Sequence, residues 1–185
     1  CPALAQAQGQ AQEPERSARC AIPPATVNLV QSQLAAVIRL DNGGIFSPNR
    51  MWSAIVDRRG VLCSVINRGN DPFPASRAIA IAKASTANGF SNSGLALSTA
   101  MLYASAQPGG WAYGLNNTNP FNPEFAANGT GIGRVPGGTI TFGGGVALYS
   151  DGQVIGALGV SGAPGGQYDE ACAKEALAKV QDRLK

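Results

Sequence analysis

The chain has no histidine in 185 residues. Without an imidazole there is no Ser-His or Cys-His nucleophile, no proximal-histidine haem iron and none of the commonest zinc sites. Charge is also sparse, at 14% of residues, and the excess of 14 basic over 11 acidic groups gives a net charge of only +3. The cations form no run, which disfavours a nucleic-acid partner. No apolar run is long enough for a transmembrane segment. Glycine, in contrast, is abundant at 24 residues, so many tight turns or close backbone approaches are expected. At 44% hydrophobic residues the chain is globular in composition, and its length predicts one domain.

The N-terminus holds Ala3-Leu4-Ala5, the A-x-A pattern of a signal-peptidase site. The stretch 1–19 is rich in Ala, Gln and Glu without apolar period, and reads as a signal-peptide remnant or disordered tail; acylation of Cys1 is the alternative. Residues 20–185 form the single domain. A periplasmic or secreted bacterial protein is expected, with one disulfide among Cys20, Cys63 and Cys172. Cys20 pairs with either Cys63 or Cys172, and spacing does not choose between them. No C-x-x-C occurs, so with histidine also missing no zinc site is expected.

Periodicity then orders the elements. Thr26 caps a helix with Val27, Val30, Leu34, Val37 and Ile38 on one face, ending at Asp41-Asn42-Gly43-Gly44. Met51 to Asp57, the turn Arg58-Arg59-Gly60 and Val61 to Ile66 form a hairpin. Ser76 caps an Ala- and Ile-rich helix from Arg77 to Gly89, and a third helix covers Leu95 to Ala104. Residues 107–138 form a long Gly-, Asn- and Pro-rich loop, ordered by Trp111, Tyr113, Phe121 and Phe125. Strands follow at Thr139–Phe142, Val146–Tyr149 and Val154–Val160, the last two joined by the Asp151-Gly152 turn. A final helix runs from Tyr168 to Leu184. The fold class is therefore α+β, a five-stranded antiparallel sheet flanked by helices.

Three features carry candidate chemistry. Lys83, alone in an apolar helix, either snorkels or meets an anion, and Arg77 and Thr86 are placed to hold a carboxylate with it. Trp111 and Tyr113 lie between glycines, where aromatic rings make either a flat apolar platform or plugs that pin the loop to its own domain or a sister subunit. Gly143-Gly144-Gly145 enters a strand, marking the approach of a ligand or of a tightly packed helix.

Together these segments resemble the GlcG/HbpS-like family of haem-binding proteins, also found as the C-terminal domain of some corrinoid adenosyltransferases. The resemblance rests on Trp52-Ser53-Ala54-Ile55-Val56-Asp57-Arg58-Arg59-Gly60, on Ala82-Lys83-Ala84-Ser85-Thr86-Ala87, and on Gly143-Gly144-Gly145-Val146. It continues from Asp151-Gly152 through Val154-Ile155-Gly156-Ala157-Leu158-Gly159-Val160-Ser161-Gly162, with Asp169 beyond, and spans Cys20 to Leu184. The long aromatic loop is similar to that of the exported branch. The resemblance implies a profilin-like, three-layer α/β/α fold assembled into homo-oligomers.

The functional expectation is an exported, oligomeric, non-enzymatic protein that binds haem or a similar planar anion. Its ligand-binding residues are Arg77, Lys83, Thr86, Trp111, Tyr113, Phe125 and Gly144. Iron, lacking imidazole, would take an oxygen or sulfur ligand from Tyr113, Tyr103, Thr86 or Met101. The alternative is an enzyme or sensor for a small organic acid, with Arg77 and Lys83 on the carboxylate and Glu124 or Asp57 as acid-base group.

Overall fold

The computed structural model describes residues 18–39, 50–163 and 165–180. Four strands form one antiparallel sheet: β1 (Met51–Asp57), β2 (Leu62–Arg68), β3 (Gly145–Ser150) and β4 (Gln153–Ser161), in the order β2-β1-β4-β3. Three α-helices accompany them: α1 (Pro24–Arg39), α2 (Pro74–Phe90) and α3 (Gly166–Ala178). The alternation of β1 decides the layering. Met51 and Ile55 face α1 and α3, joining Val30, Leu34, Val37, Cys172, Ala173 and Ala176 in the larger core. Trp52, Ala54 and Val56 face α2 and meet Ala80, Ile81, Ala84 and Ala87. The central strand is thus buried on both faces, with helices on either side of the sheet.

Both hairpins form where turn chemistry places them. Gly60 closes the first with φ +83°, and Asp151 and Gly152 take φ 48° and 73° in the second, the left-handed pair that suits a two-residue connection. The small residues of α2 serve close packing. At Gly159 of β4, a Cβ would lie 2.0 Å from the Ala80 carbonyl oxygen of α2.

Several expectations need correction. The sheet has four strands among the described residues, not five, because Thr139–Phe142 is not a strand. Its Ile140 amide donates to Thr86 Oγ1 of α2 at 2.9 Å, so that hydrogen-bonding group is committed to a helix side chain rather than a ladder. The helix expected over Leu95–Ala104 is two 3-10 turns, Thr99–Leu102 and Ala104–Ala106. Helices α1 and α2 begin at Pro24 and Pro74, not after Thr26 and Ser76: proline's fixed φ suits a first helical position, and its missing N–H needs no partner there. The tail 1–17, the expected helix stop at Asp41–Gly44 and the last residues to Leu184 lie outside the described residues.

The long loop is ordered by its own backbone bonds. Leu62 of β2 exchanges bonds with it, donating to the Arg134 carbonyl at 2.8 Å and accepting from the Gly133 amide at 2.9 Å. Cys20 and Cys63 are joined, resolving the choice of partner, while Cys172 is free and buried. Among the described residues no helix is long and apolar enough to cross a membrane.

Candidate functional site

Lys83 has no exposed surface, and the structure answers which way it turns. Its ammonium donates to Asp169 Oδ2 of α3 at 2.7 Å and to the Val160 carbonyl of β4 at 2.9 Å. The glycine run makes this reach possible. A Cβ on Gly144 would sit 2.8 Å from Lys83 Nζ and 2.5 Å from the Val160 oxygen, and Gly144 has φ +123°. Glu170 Oε2 accepts the Gly144 amide at 2.9 Å, and Asp169 Oδ1 accepts the Ala163 amide at 3.1 Å. Burial is the largest influence on both charges, pushing the Lys83 pKa down and the Asp169 pKa up, and their mutual attraction opposes both shifts. At this separation the pair is one neutral unit that binds helix to helix around the end of the sheet.

The Phe142 ring covers the pair, its centroid 5.0 Å from Lys83 Nζ. The same ring borders an open cleft of about 390 Å³ lined by Ala100, Tyr103, Phe142, Gly143, Gly166 and Gln167. That volume lies within the range of small-molecule sites. Tyr103, half exposed, brings a phenol to its wall, and Gln167 an amide.

Other predicted residues are placed elsewhere. Arg77, 1% exposed, donates to the carbonyls of Phe125 at 2.5 Å, Ala126 at 3.2 Å and Thr130 at 2.6 Å, and its guanidinium lies 5.9 Å from the Trp52 ring. Thr86 donates to the Ala82 carbonyl within its own helix and accepts from Ile140. Arg77, Lys83 and Thr86 therefore each hold protein partners, and none of the three lines the cleft beside Phe142. Phe125 is part of the segment that Arg77 anchors. Trp111 and Tyr113, 86% and 67% exposed, point into solvent and do not plug their own domain. They ride on a turn fixed by the Ala112 amide donating to the Ser105 carbonyl at 3.0 Å, two residues beyond Tyr103. Phe142 and Gln167 were not legible as site residues. The aromatic next to the glycine run was the available signal for Phe142; nothing marked Gln167.

Solved structures with this fold agree in architecture. The Klebsiella pneumoniae protein ORFY is 28% identical, with TM-score 0.57 over 80% of this chain and 86% of its own. The PduOC:heme complex is 25% identical, with TM-score 0.61 over 85% of this chain and 93% of that one. HbpS, at 21% identity and TM-score 0.57 over 83% and 88% of the two chains, shares the fold. A search of curated proteins found no match. The family model described as "Haem degrading protein HbpS-like" matches residues 47–178, a span holding all four strands, α2, the ion pair and the cleft, and the chain belongs to that family.

Proposed function

We propose that this protein binds haem or a closely similar planar anion at the cleft between Tyr103 and Phe142. The observation that carries the reading is the cleft itself, an open space of about 390 Å³ with a phenylalanine face on one side and a phenol at its edge. Kinship with the PduOC protein solved as a heme complex supports it. The donor set fits haem without imidazole: the Tyr103 phenol is an oxygen donor of the kind that holds haem iron elsewhere. Phe142 and Ala100 offer apolar contact, and Gln167 offers an amide to a polar edge. Bound haem would supply a redox-active iron centre. The chain's own residues orient the macrocycle and shield one face from water. Trp111 and Tyr113, displayed from the neighbouring turn, extend the aromatic surface available to a ligand that protrudes from an open cleft.

The small-acid reading has less support, because both cations it requires already hold protein partners. Export is part of the proposal and draws on the disulfide, which persists in oxidising compartments. Assembly into homo-oligomers draws on the exposed Met101, Tyr103, Trp111 and Tyr113.

Titration with haemin tests the reading. A saturable Soret shift at micromolar haemin is expected. Tyr103→Phe should change the spectrum of the bound state, and Phe142→Ala should weaken binding at least tenfold (about 1.4 kcal/mol). Absence of a saturable shift would sink the proposal, and an unaltered spectrum in Tyr103→Phe would remove the phenol from iron.

A further inference from the structure

The disulfide stands next to a buried carboxylate that nothing in the cleft uses. Asp57, at the end of β1, is wholly buried, and ligand atoms of Cys20, Asp57 and Cys63 lie within 4.8 Å of one another. Two sulfurs and a carboxylate oxygen are a recognised donor combination for zinc-class cations, with water completing four-coordination. We propose that, once the Cys20–Cys63 bond is reduced, the two thiolates and Asp57 form a site for one thiophilic divalent cation of the zinc or cadmium class.

Geometry supports each part. The Cα atoms of the two cysteines are 5.2 Å apart. Metal–sulfur distances of about 2.3 Å at tetrahedral angles place two sulfurs about 3.8 Å apart, a spread that side-chain rotation supplies without moving the backbone. The carboxylate is already aimed. Asp57 Oδ1 accepts the amides of Arg59 at 2.9 Å and Val61 at 3.1 Å, and Oδ2 accepts the Ala21 amide at 2.9 Å, directly after Cys20. Such bonds orient metal-binding carboxylates. The remaining partner of Oδ2 is the Arg59 guanidinium at 2.9 Å, whose side chain is 57% exposed and whose Nη2 also donates to the Arg19 carbonyl at 2.6 Å. An incoming cation therefore replaces one positive charge by another at the same oxygen. A cleft of about 240 Å³ bordered by Arg19, Ile22, Val27 and Ser64 is also lined by both cysteines.

The redox step balances. A small dithiol gives two electrons and two protons to the disulfide: the Cys20–Cys63 bond breaks, two thiols form, and the reductant becomes a disulfide. The cation then displaces the two thiol protons into water. An oxidising disulfide reverses the sequence, re-forming the Cys20–Cys63 bond and expelling the cation. Oxidation state thus selects between a covalent clasp and a metal clasp.

The test uses the full chain carrying Cys1→Ser, so that the two clasp thiols and the buried Cys172 thiol are the only thiols present. Reduced under nitrogen and freed of reductant, it should bind one Cd²⁺ per chain with a thiolate-to-cadmium ultraviolet band, while the oxidised chain shows neither. Asp57→Asn should weaken binding at least about tenfold. Arg59→Gln, which removes the competing cation and keeps the carboxylate, should tighten it. No band in a reduced chain of native circular dichroism overturns the proposal, as does loss of the fold on reduction. Unchanged affinity in Arg59→Gln would also overturn it, and that variant leaves every ligand in place.

Discussion

Lys83 and Asp57 are the two charged residues on which most depends, and both are fully enclosed. Removing one partner of a buried ion pair leaves the other charge without compensation, at a cost of about 3–5 kcal/mol. Lys83→Met should therefore lower unfolding free energy by about that amount. Adding Asp169→Leu should recover most of it, because an apolar pair leaves no orphaned charge; urea denaturation of the single and double variants checks both. Asp57 governs acid stability. Burial alone raises its pKa, but bonds from the Ala21, Val61 and Arg59 amides and from the Arg59 side chain outweigh burial and leave it below its ordinary 3.8. A carboxyl with a depressed folded-state pKa binds fewer protons folded than unfolded. Its contribution is complete above the unfolded value and is lost as pH falls through the folded one. Urea midpoints should fall below pH about 4 in the parent. In Asp57→Asn the midpoint should start lower at neutral pH and show a shallower acid limb.

Between elements, contact is set by what is missing from side chains. Gly159→Ala would drive a methyl to within 2.0 Å of the Ala80 oxygen and 2.6 Å of the Ala84 nitrogen, both helix backbone that cannot rotate away. Overpacking of this kind costs about 1–3 kcal/mol or more, so Gly159→Ala should show a clearly lowered thermal midpoint. Arg77 acts between α2 and the loop. Its three carbonyl acceptors span Phe125 to Thr130, and Arg77→Ala should expose that segment to limited proteolysis while costing about 2–3 kcal/mol. Arg77→Lys should rescue it only in part, since an ammonium lacks the fork. These same contacts explain what the sequence could and could not convey. Strand β1 is legible to the residue because its boundaries carry a turn at Arg58-Arg59-Gly60, and Lys83 is conspicuous as a charge in an apolar helix. The extra strand at Thr139–Phe142 was a misreading because local composition favours extension, while the decisive bond runs to Thr86, 54 positions away. Asp169 was visible as a matching residue but not as the partner of Lys83, from which 86 positions separate it. Periodicity reports which face is buried; it carries nothing about which distant charge lies beneath.

For the whole molecule the Cys20–Cys63 bond ties the segment before α1 to the first hairpin across 43 positions. Closing a loop of that length removes denatured-state entropy equivalent to about 4 kcal/mol. Reduction should consequently lower the thermal midpoint by roughly 10 °C while leaving a folded chain, since the two cysteines only pack against the larger core cluster and take no part in the one beneath α2. Cadmium then has a definite amount to restore. A cation at 100 times its dissociation constant adds about 2.7 kcal/mol, so the midpoint of the reduced chain should climb about two-thirds of the way back. Thiols of the unfolded chain also bind such ions, which diminishes the gain, but that binding is indifferent to residue 57 because the carboxylate meets the sulfurs only in the folded turn. Scanning calorimetry of reduced parent and reduced Asp57→Asn separates the two effects. Recovery in the parent with little in the variant is the expected result, and equal recovery in both would mean that the folded chain holds the ion without the carboxylate.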